Sequence, residues 1–163
     1  MRFSLVDRIV ALEAGKSVHA VKNLSIAEEY LADHFPGFPV MPGVLMVETL
    51  VQAGAWLMRY TEDFRYSTIL LKSAKAVKFN NFVSPGKTLQ VTCNVIKQSP
   101  EEYTFKATGT VDGTSAVSAR IILQQFNLAD NNPELAGSDE RCIEKMRELF
   151  SAVWRPEGST TAN

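Results

Sequence analysis

His34-Phe35-Pro36-Gly37-Phe38-Pro39-Val40-Met41-Pro42-Gly43 runs straight into an apolar stretch, Val44 to Tyr60, that carries Glu48 and Gln52. The ten leading residues hold three prolines and two glycines. Proline fixes φ and lacks an N–H, while glycine opens backbone shapes that other residues avoid. The segment therefore reads as a stiff, irregular loop. The residues after it include many good helix formers and no proline, which predicts a helix from Val44 to about Tyr60. At about 100° per residue, Glu48, Gln52, Ala55, Arg59 and Glu62 fall in one narrow stripe, and nearly all the remaining circumference is apolar. A helix like that is buried on most sides, so other elements must wrap it. It is too short, and too polar along the stripe, for a membrane span.

The second half of the chain supplies the wrapping. Residues 68–79, 87–98, 102–111 and 114–125 read as four long strands. Leu89, Val91, Cys93 and Val95 alternate with polar neighbours, as do Tyr103, Phe105, Ala107, Gly109 and Val111. Asp112-Gly113 is a strong hairpin signal, Ser99-Pro100-Glu101 marks another tight connection, and Pro85-Gly86 punctuates the first pair. Upstream, residues 17–24 read as the first strand, entered through a turn at Gly15. Ser25-Ile26-Ala27-Glu28 has the form of a capping box and predicts a short helix over 26–31. One mostly buried helix ahead of long antiparallel strands makes an α+β layout, with a sheet curled around a helix.

Residues 1–126 form the predicted domain, and 127–163 an appendage. Asn127 to Gly137 reads as a polar linker. Ser138 is then placed to cap a helix with Asp139 and Glu140 in its first turn. Cys142, Ile143, Met146, Leu149, Phe150, Val153 and Trp154 recur at helical spacing, so this helix must dock on a surface. Residues 155–163 read as a disordered tail.

Global composition is permissive. The chain has 163 residues, 45% of them hydrophobic and 21% charged, with a formal charge of −1. No basic stripe points to nucleic acid. Two cysteines without motif spacing suit a reduced, cytoplasmic protein. The N-terminus has charge within it and no long apolar run, so no signal peptide is expected. Two histidines without zinc-ligand spacing leave no expected metal site, and no cofactor motif occurs. The proline–glycine loop is the candidate site: His34 stands at one end, a helix N-terminus at the other, and the Glu48 carboxylate lies within the helix. That is an acid–base constellation.

These residues carry a resemblance. His34-Phe35-Pro36-Gly37-x-Pro39-Val40-Met41-Pro42-Gly43-Val44-Leu45-x-x-Glu48-x-x-x-Gln52 resembles the signature of the (R)-3-hydroxyacyl-[acyl-carrier-protein] dehydratases, which have the hot-dog fold. Leu5-Val6-Asp7-Arg8, Lys22-Asn23, Lys75-x-Val77-Lys78-Phe79, Pro85-Gly86 and Val111-Asp112-Gly113 extend the match over about residues 3–125. Asp33 stands where the family usually has glycine, Lys87 where an acidic residue is common, and Thr49 where alanine is usual. None of these removes a catalytic group.

The resemblance implies dehydration of a 3-hydroxyacyl thioester to a trans-2-enoyl thioester. His34 suits the base for the α-proton, and Glu48 suits the donor to the departing hydroxyl. The Gly43 N–H would stabilise charge on the thioester oxygen, and Gln52, one turn after Glu48, would orient it. Phe38, Met41, Leu45 and Trp56 are acyl-tunnel candidates. The implied partner is an acyl carrier protein with its phosphopantetheine-linked chain, met by Lys72, Lys75, Lys78 and Lys87. In the family the histidine and the acidic residue of one site come from opposite subunits, which implies a homodimer or a trimer of dimers. The competing readings are a hot-dog acyl thioesterase and a non-catalytic acyl-thioester-binding subunit.

Overall fold

The computed structural model describes residues 3–35 and 37–156. Among them, six strands form one sheet: β1 (Arg8–Glu13), β2 (Ser17–Asn23), β3 (Thr68–Phe79), β4 (Thr88–Gln98), β5 (Glu102–Val111) and β6 (Thr114–Phe126). Their spatial order is β1-β2-β4-β5-β6-β3, with every pairing antiparallel. The helices are α1 (Tyr30–Asp33), α2 (Gly43–Thr61) and α3 (Ala136–Val153).

The alternation in the strands does what the pattern predicts. Leu89, Val91 and Cys93 of β4 and Tyr103, Phe105 and Ala107 of β5 all bury their side chains. Asp112 and Gly113 have φ values of 50° and 78°, the double positive φ that a tight hairpin of this hand requires. Against this inner face lies α2, which touches all six strands. Leu50, Ala53, Leu57 and Met58 are fully buried along it. A Cβ at Gly54 would come within 3.2 Å of Leu123 and 3.3 Å of Phe105, so the missing side chain lets α2 sit low on β5 and β6. This is the α+β hot-dog arrangement, a sheet curled around one helix.

Three upstream and downstream expectations need correction. The strand over 17–24 is the second, not the first. β1 precedes it across the turn at Gly15, and its mixed burial as an edge strand hides the period-2 signal. The predicted helix over 26–31 instead begins at Tyr30. Ser25 Oγ accepts from the Ala27 N–H at 3.1 Å, and the Glu28 carboxylate binds Lys22 Nζ at 2.6 Å rather than closing a capping box. Finally, the stretch after Phe126 contains two 3₁₀ turns, Leu128–Asp130 and Pro133–Leu135, and α3 starts before Ser138.

α3 docks on the far half of α2. Phe150 is the centre of an aromatic group, with ring centroids 5.9 Å from Trp56, 5.7 Å from Tyr60, 5.4 Å from Phe64 and 5.8 Å from Trp154. Trp154 bridges to Ile9 of β1, and the Arg155 N–H donates to the Ile9 carbonyl at 3.1 Å. The rest of the expected tail, residues 157–163, lies outside the described residues.

The near end of α3 is held by a carboxylate. Asp139 accepts from the Ser67 hydroxyl and from the N–H groups of Leu128 at 3.0 Å and Ala129 at 2.9 Å. The Ser67 bond foremost, then the two N–H groups, hold its carboxyl below the ordinary aspartate value. A depressed folded value gives stability that is complete above the unfolded value and is lost as pH falls through the folded one. Asp139→Ala should therefore melt below wild type at neutral pH, because three donors lose their acceptor. Thermal melts should show that gap narrowing below about pH 4, and a gap of constant size across that range would refute the account.

Candidate active site

The loop between α1 and α2 is shaped by its own backbone. His34 follows α1 directly, and its N–H donates to the Tyr30 carbonyl at 3.2 Å. Phe35 has φ 53° and Gly37 φ 92°, and the Phe38 N–H returns to the Phe35 carbonyl at 2.9 Å. A phenylalanine held at positive φ is strained, which is common where a loop presents functional groups. The loop is then pinned to the sheet side by the Met41 N–H, which donates to the Val83 carbonyl at 2.8 Å. Val40 and Met41 are buried there.

A cavity of about 540 Å³ opens beside this loop. Its walls include His34, Met41, Gly43 and Val44, faced by Phe79 and Phe82 from the end of β3 and the segment after it. The lining is mostly apolar, which suits an acyl chain more than a polar metabolite. Gly43 opens the mouth: a Cβ there would stand 2.9 Å from the Phe79 ring. By helix geometry the N–H groups of Gly43 and Val44 have no acceptor within α2, so both are available to an oxygen in the cavity.

Glu48 lies one turn further on and is half-buried. Gln52 Nε2 donates to Glu48 Oε1 at 2.9 Å, the bond anticipated from their spacing. The Gln52 amide is itself oriented: its Oε1 accepts from the Leu5 N–H at 2.8 Å, and its Nε2 also reaches the Phe3 carbonyl at 3.2 Å. The N-terminal segment thus turns the amide so that its N–H faces Glu48. That role of residues 3–5 had no motif to announce it.

Within one protomer the structure groups His34, Met41 and Gly43 on the cavity, and pairs Glu48 with Gln52 away from its lining. Phe38 is exposed and meets Phe82 edge-on at 5.5 Å, beside the cavity rather than in its wall. Leu45 packs against the hydrophobic core. Trp56 turns to α3 and Phe150, with Arg59 over its ring at 5.7 Å. Neither Leu45 nor Trp56 lines this cavity. The sequence reading gave no place in the site to Phe79, Asn80, Asn81 and Phe82. The signal was the Asn-Asn pair just after β3, set between two aromatic residues.

Other reactive groups stand apart. His19 is exposed on β2 and shares a hydrogen bond with Thr92 Oγ1 at 3.0 Å. Cys93 is fully buried, and burial pushes its thiol up to about 12, so it holds no thiolate for nucleophilic work. Among the described residues, no group of three or more His, Cys, Asp and Glu side chains is placed to hold a metal ion.

The glycine at the mouth gives a direct test. Gly43→Val should displace Phe79 and fill the entrance while leaving the core beneath Gly54 intact. We expect turnover to fall by about 100-fold, the usual cost of one lost oxyanion donor, with the melting temperature nearly unchanged. Near wild-type turnover with only weaker substrate binding would remove the oxyanion role from this N–H.

Comparison with known proteins places this geometry in a family. A family model described as FabA-like domain matches residues 1–120. Relatives include the 3-hydroxyacyl-[acyl-carrier-protein] dehydratase FabZ of Clostridium perfringens, 42% identical over 120 residues, which span 74% of this chain and 86% of the relative. FabZ of Janthinobacterium sp. is 36% identical over 132 residues, or 79% of this chain and 85% of the relative. Among solved structures, a chain of the dehydratase heterocomplex ApeI:P from Xenorhabdus doucetiae shares the fold with a TM-score of 0.69 at 18% identity, covering 82% of this chain and 90% of that one. The E. coli PaaI protein shares it with a TM-score of 0.55 at 11% identity, over 72% and 78% of the two chains. On the span and identity of these matches, the chain belongs to the FabA-like family of 3-hydroxyacyl-[acyl-carrier-protein] dehydratases.

Proposed function

We propose that this protein removes water from (R)-3-hydroxyacyl thioesters carried on an acyl carrier protein, giving trans-2-enoyl thioesters for fatty-acid or related lipid synthesis. The observation that carries the reading is the apolar cavity with His34 on one wall and the open N-terminus of α2 on another. His34 takes the α-proton, and the electron pair of that C–H bond becomes the new double bond. The C–O bond at the β-carbon breaks as Glu48 delivers a proton to the departing hydroxyl, which leaves as water. Charge that builds on the thioester oxygen is met by the Gly43 N–H at the positive end of the helix. Gln52 holds the Glu48 carboxyl in place. This reading assigns the chemistry to residues 1–126 and a bracing role to the appendage.

We infer that a second copy of the chain completes the site. One protomer's cavity contains His34 without Glu48, and β3 at the end of the sheet leaves Leu70, Leu71, Val77 and Phe79 exposed. A homodimer, alone or as a trimer of dimers, would cover such residues and bring a Glu48 to each His34. We place the enzyme in the cytoplasm, where carrier-linked intermediates and reduced cysteines occur together. Among the described residues, no helix is long and apolar enough to cross a membrane.

His34→Ala and Glu48→Ala should each lower turnover by about 100- to 10,000-fold with folding intact, whereas His19→Ala should be silent. The readout is enoyl absorbance from a 3-hydroxyacyl thioester. Release of free thiol instead of enoyl product would favour the thioesterase reading. Refolding the two inactive variants together should restore part of the activity. No recovery in mixed dimers would place His34 and Glu48 in one protomer's site.

The carrier surface can be narrowed. Of the four candidate lysines, Lys72 is paired with Glu102 at 2.6 Å and Lys87 with Asp112 at 2.7 Å. Lys75 and Lys78 instead line a groove of about 460 Å³ together with Lys106 and Arg120. Arg120 stands directly across from Lys106 on one side and Lys75 on the other. Like charges in register destabilise a sheet, so the row needs an anionic partner to offset it. Lys106→Glu with Arg120→Glu should raise KM for carrier-linked substrate on the order of tenfold at low salt, and leave a small-thiol thioester unaffected. Equal effects on both substrates would remove the carrier from this groove.

A further inference from the structure

We propose that Lys22 is a positioning residue for dehydration, acting through Glu28 and Asp7 to fix the segment that presents His34 to the cavity. Lys22 lies on β2, twelve residues before His34, and only 5% of its side chain is exposed. Its Nζ meets Glu28 Oε1 at 2.6 Å and Asp7 Oδ2 at 3.6 Å. A lysine is almost never so buried unless it is paired, and removing one partner leaves an uncompensated charge. The network is tied to the backbone on both sides. Asp7 Oδ2 also accepts the Asn23 N–H at 2.6 Å, and the Asp7 N–H donates to the Val21 carbonyl at 2.9 Å.

From Glu28 the path to His34 is short and continuous. The Leu31 N–H donates to the Glu28 carbonyl at 3.1 Å, and the His34 N–H donates to the Tyr30 carbonyl at 3.2 Å. The helix between them, α1, is four residues long, and Leu31 is its one buried side chain. A single turn of helix is unstable by itself, because its few hydrogen bonds do not repay the ordering of the backbone. Something outside it must hold it. Leu31 and Tyr30 pack the turn against the core, and the Lys22–Glu28 pair fixes the point where the chain leaves β2 for the loop. The polar anchor matters because apolar packing is non-directional and does not by itself set the position of the turn along the surface. Displacing a general base by about 1 Å costs up to about 100-fold in rate.

For its kinetic consequence this proposal rests on the dehydratase reading; for its structural consequence it does not. The test therefore uses two readouts on the full-length protein. The first is turnover and KM of Lys22→Met, Glu28→Gln and Lys22→Arg. The second is the rate at which diethyl pyrocarbonate modifies His34, read by peptide mass spectrometry with His19 as the internal control. We expect Lys22→Met and Glu28→Gln to lower kcat about 10- to 100-fold with KM within about twofold. His34 modification should change several-fold while that of His19 does not, and Lys22→Arg should recover most of both. Should Lys22→Met fail to fold, Glu28→Gln keeps the segment's volume and carries the test alone. Unchanged His34 reactivity in a folded Glu28→Gln variant would overturn the proposal. A changed reactivity in a protein that dehydrates no thioester would sink the functional reading and leave the positioning network standing.

Discussion

The seat of α2 on the sheet is the constraint on which the rest depends. Gly54 lets the helix approach until its backbone rests on Phe105 and Leu123, so close that a Cβ would have to push them back by a few tenths of an ångström. That depth sets where the helix begins. Its first turn comes level with the end of β3, where Gly43 meets the ring of Phe79 with no Cβ between them. Two glycines on one helix thus serve different ends. One fixes the height of the helix over the core, and the other keeps its N-terminus open to a ligand.

A helix this deeply seated has a polar stripe that must be dealt with, and the molecule covers it in two pieces. Near the start, the backbone of residues 3–5 binds Gln52, which in turn holds Glu48. Near the end, α3 lays Phe150 over Trp56, Tyr60 and Phe64, and Tyr103 donates to Glu62 at 2.8 Å. Burial draws the Arg59 guanidinium below the usual arginine value, and the Trp56 ring beneath it offsets part of that cost. The Glu48 end of the stripe is left half-open, while the other end is closed.

The two edges of the sheet are treated differently as well. β1 receives the end of α3 through Trp154 and Arg155, which occupies part of an edge that would otherwise offer free backbone groups. β3 carries register shifts at Leu71/Ser73 and at Lys75/Lys78, with Ala76 at φ 50° inside the second. Bulges of this kind twist an edge and re-aim its side chains. Here they lie along the strand that ends at the cavity wall.

Much of this was legible in the residues themselves. Period-2 alternation placed β4 and β5, the Asp112-Gly113 pair placed the hairpin from β5 to β6, and the apolar run placed α2 to within a residue at each end. The density of proline and glycine from Pro36 to Gly43 marked the loop, and the spacing of Glu48 and Gln52 anticipated their hydrogen bond. Those features are local: each follows from backbone sterics or from the repeat of one element. What the tertiary structure decided was every choice between partners. The Glu28 carboxylate had its own Ser25 turn or Lys22 to bind, and the fold brought it Lys22. Asp139 is the first-turn helix charge that the sequence predicted, and the fold chose Ser67 as its partner. Trp56 could equally have faced an acyl chain, and the docking of α3 turned it to Phe150. The far wall of the cavity follows the same rule. Phe79 and Phe82 share a cavity with His34 only because β3 lies at the end of the sheet beside β6, and strand order is a property of long-range pairing that no local period encodes.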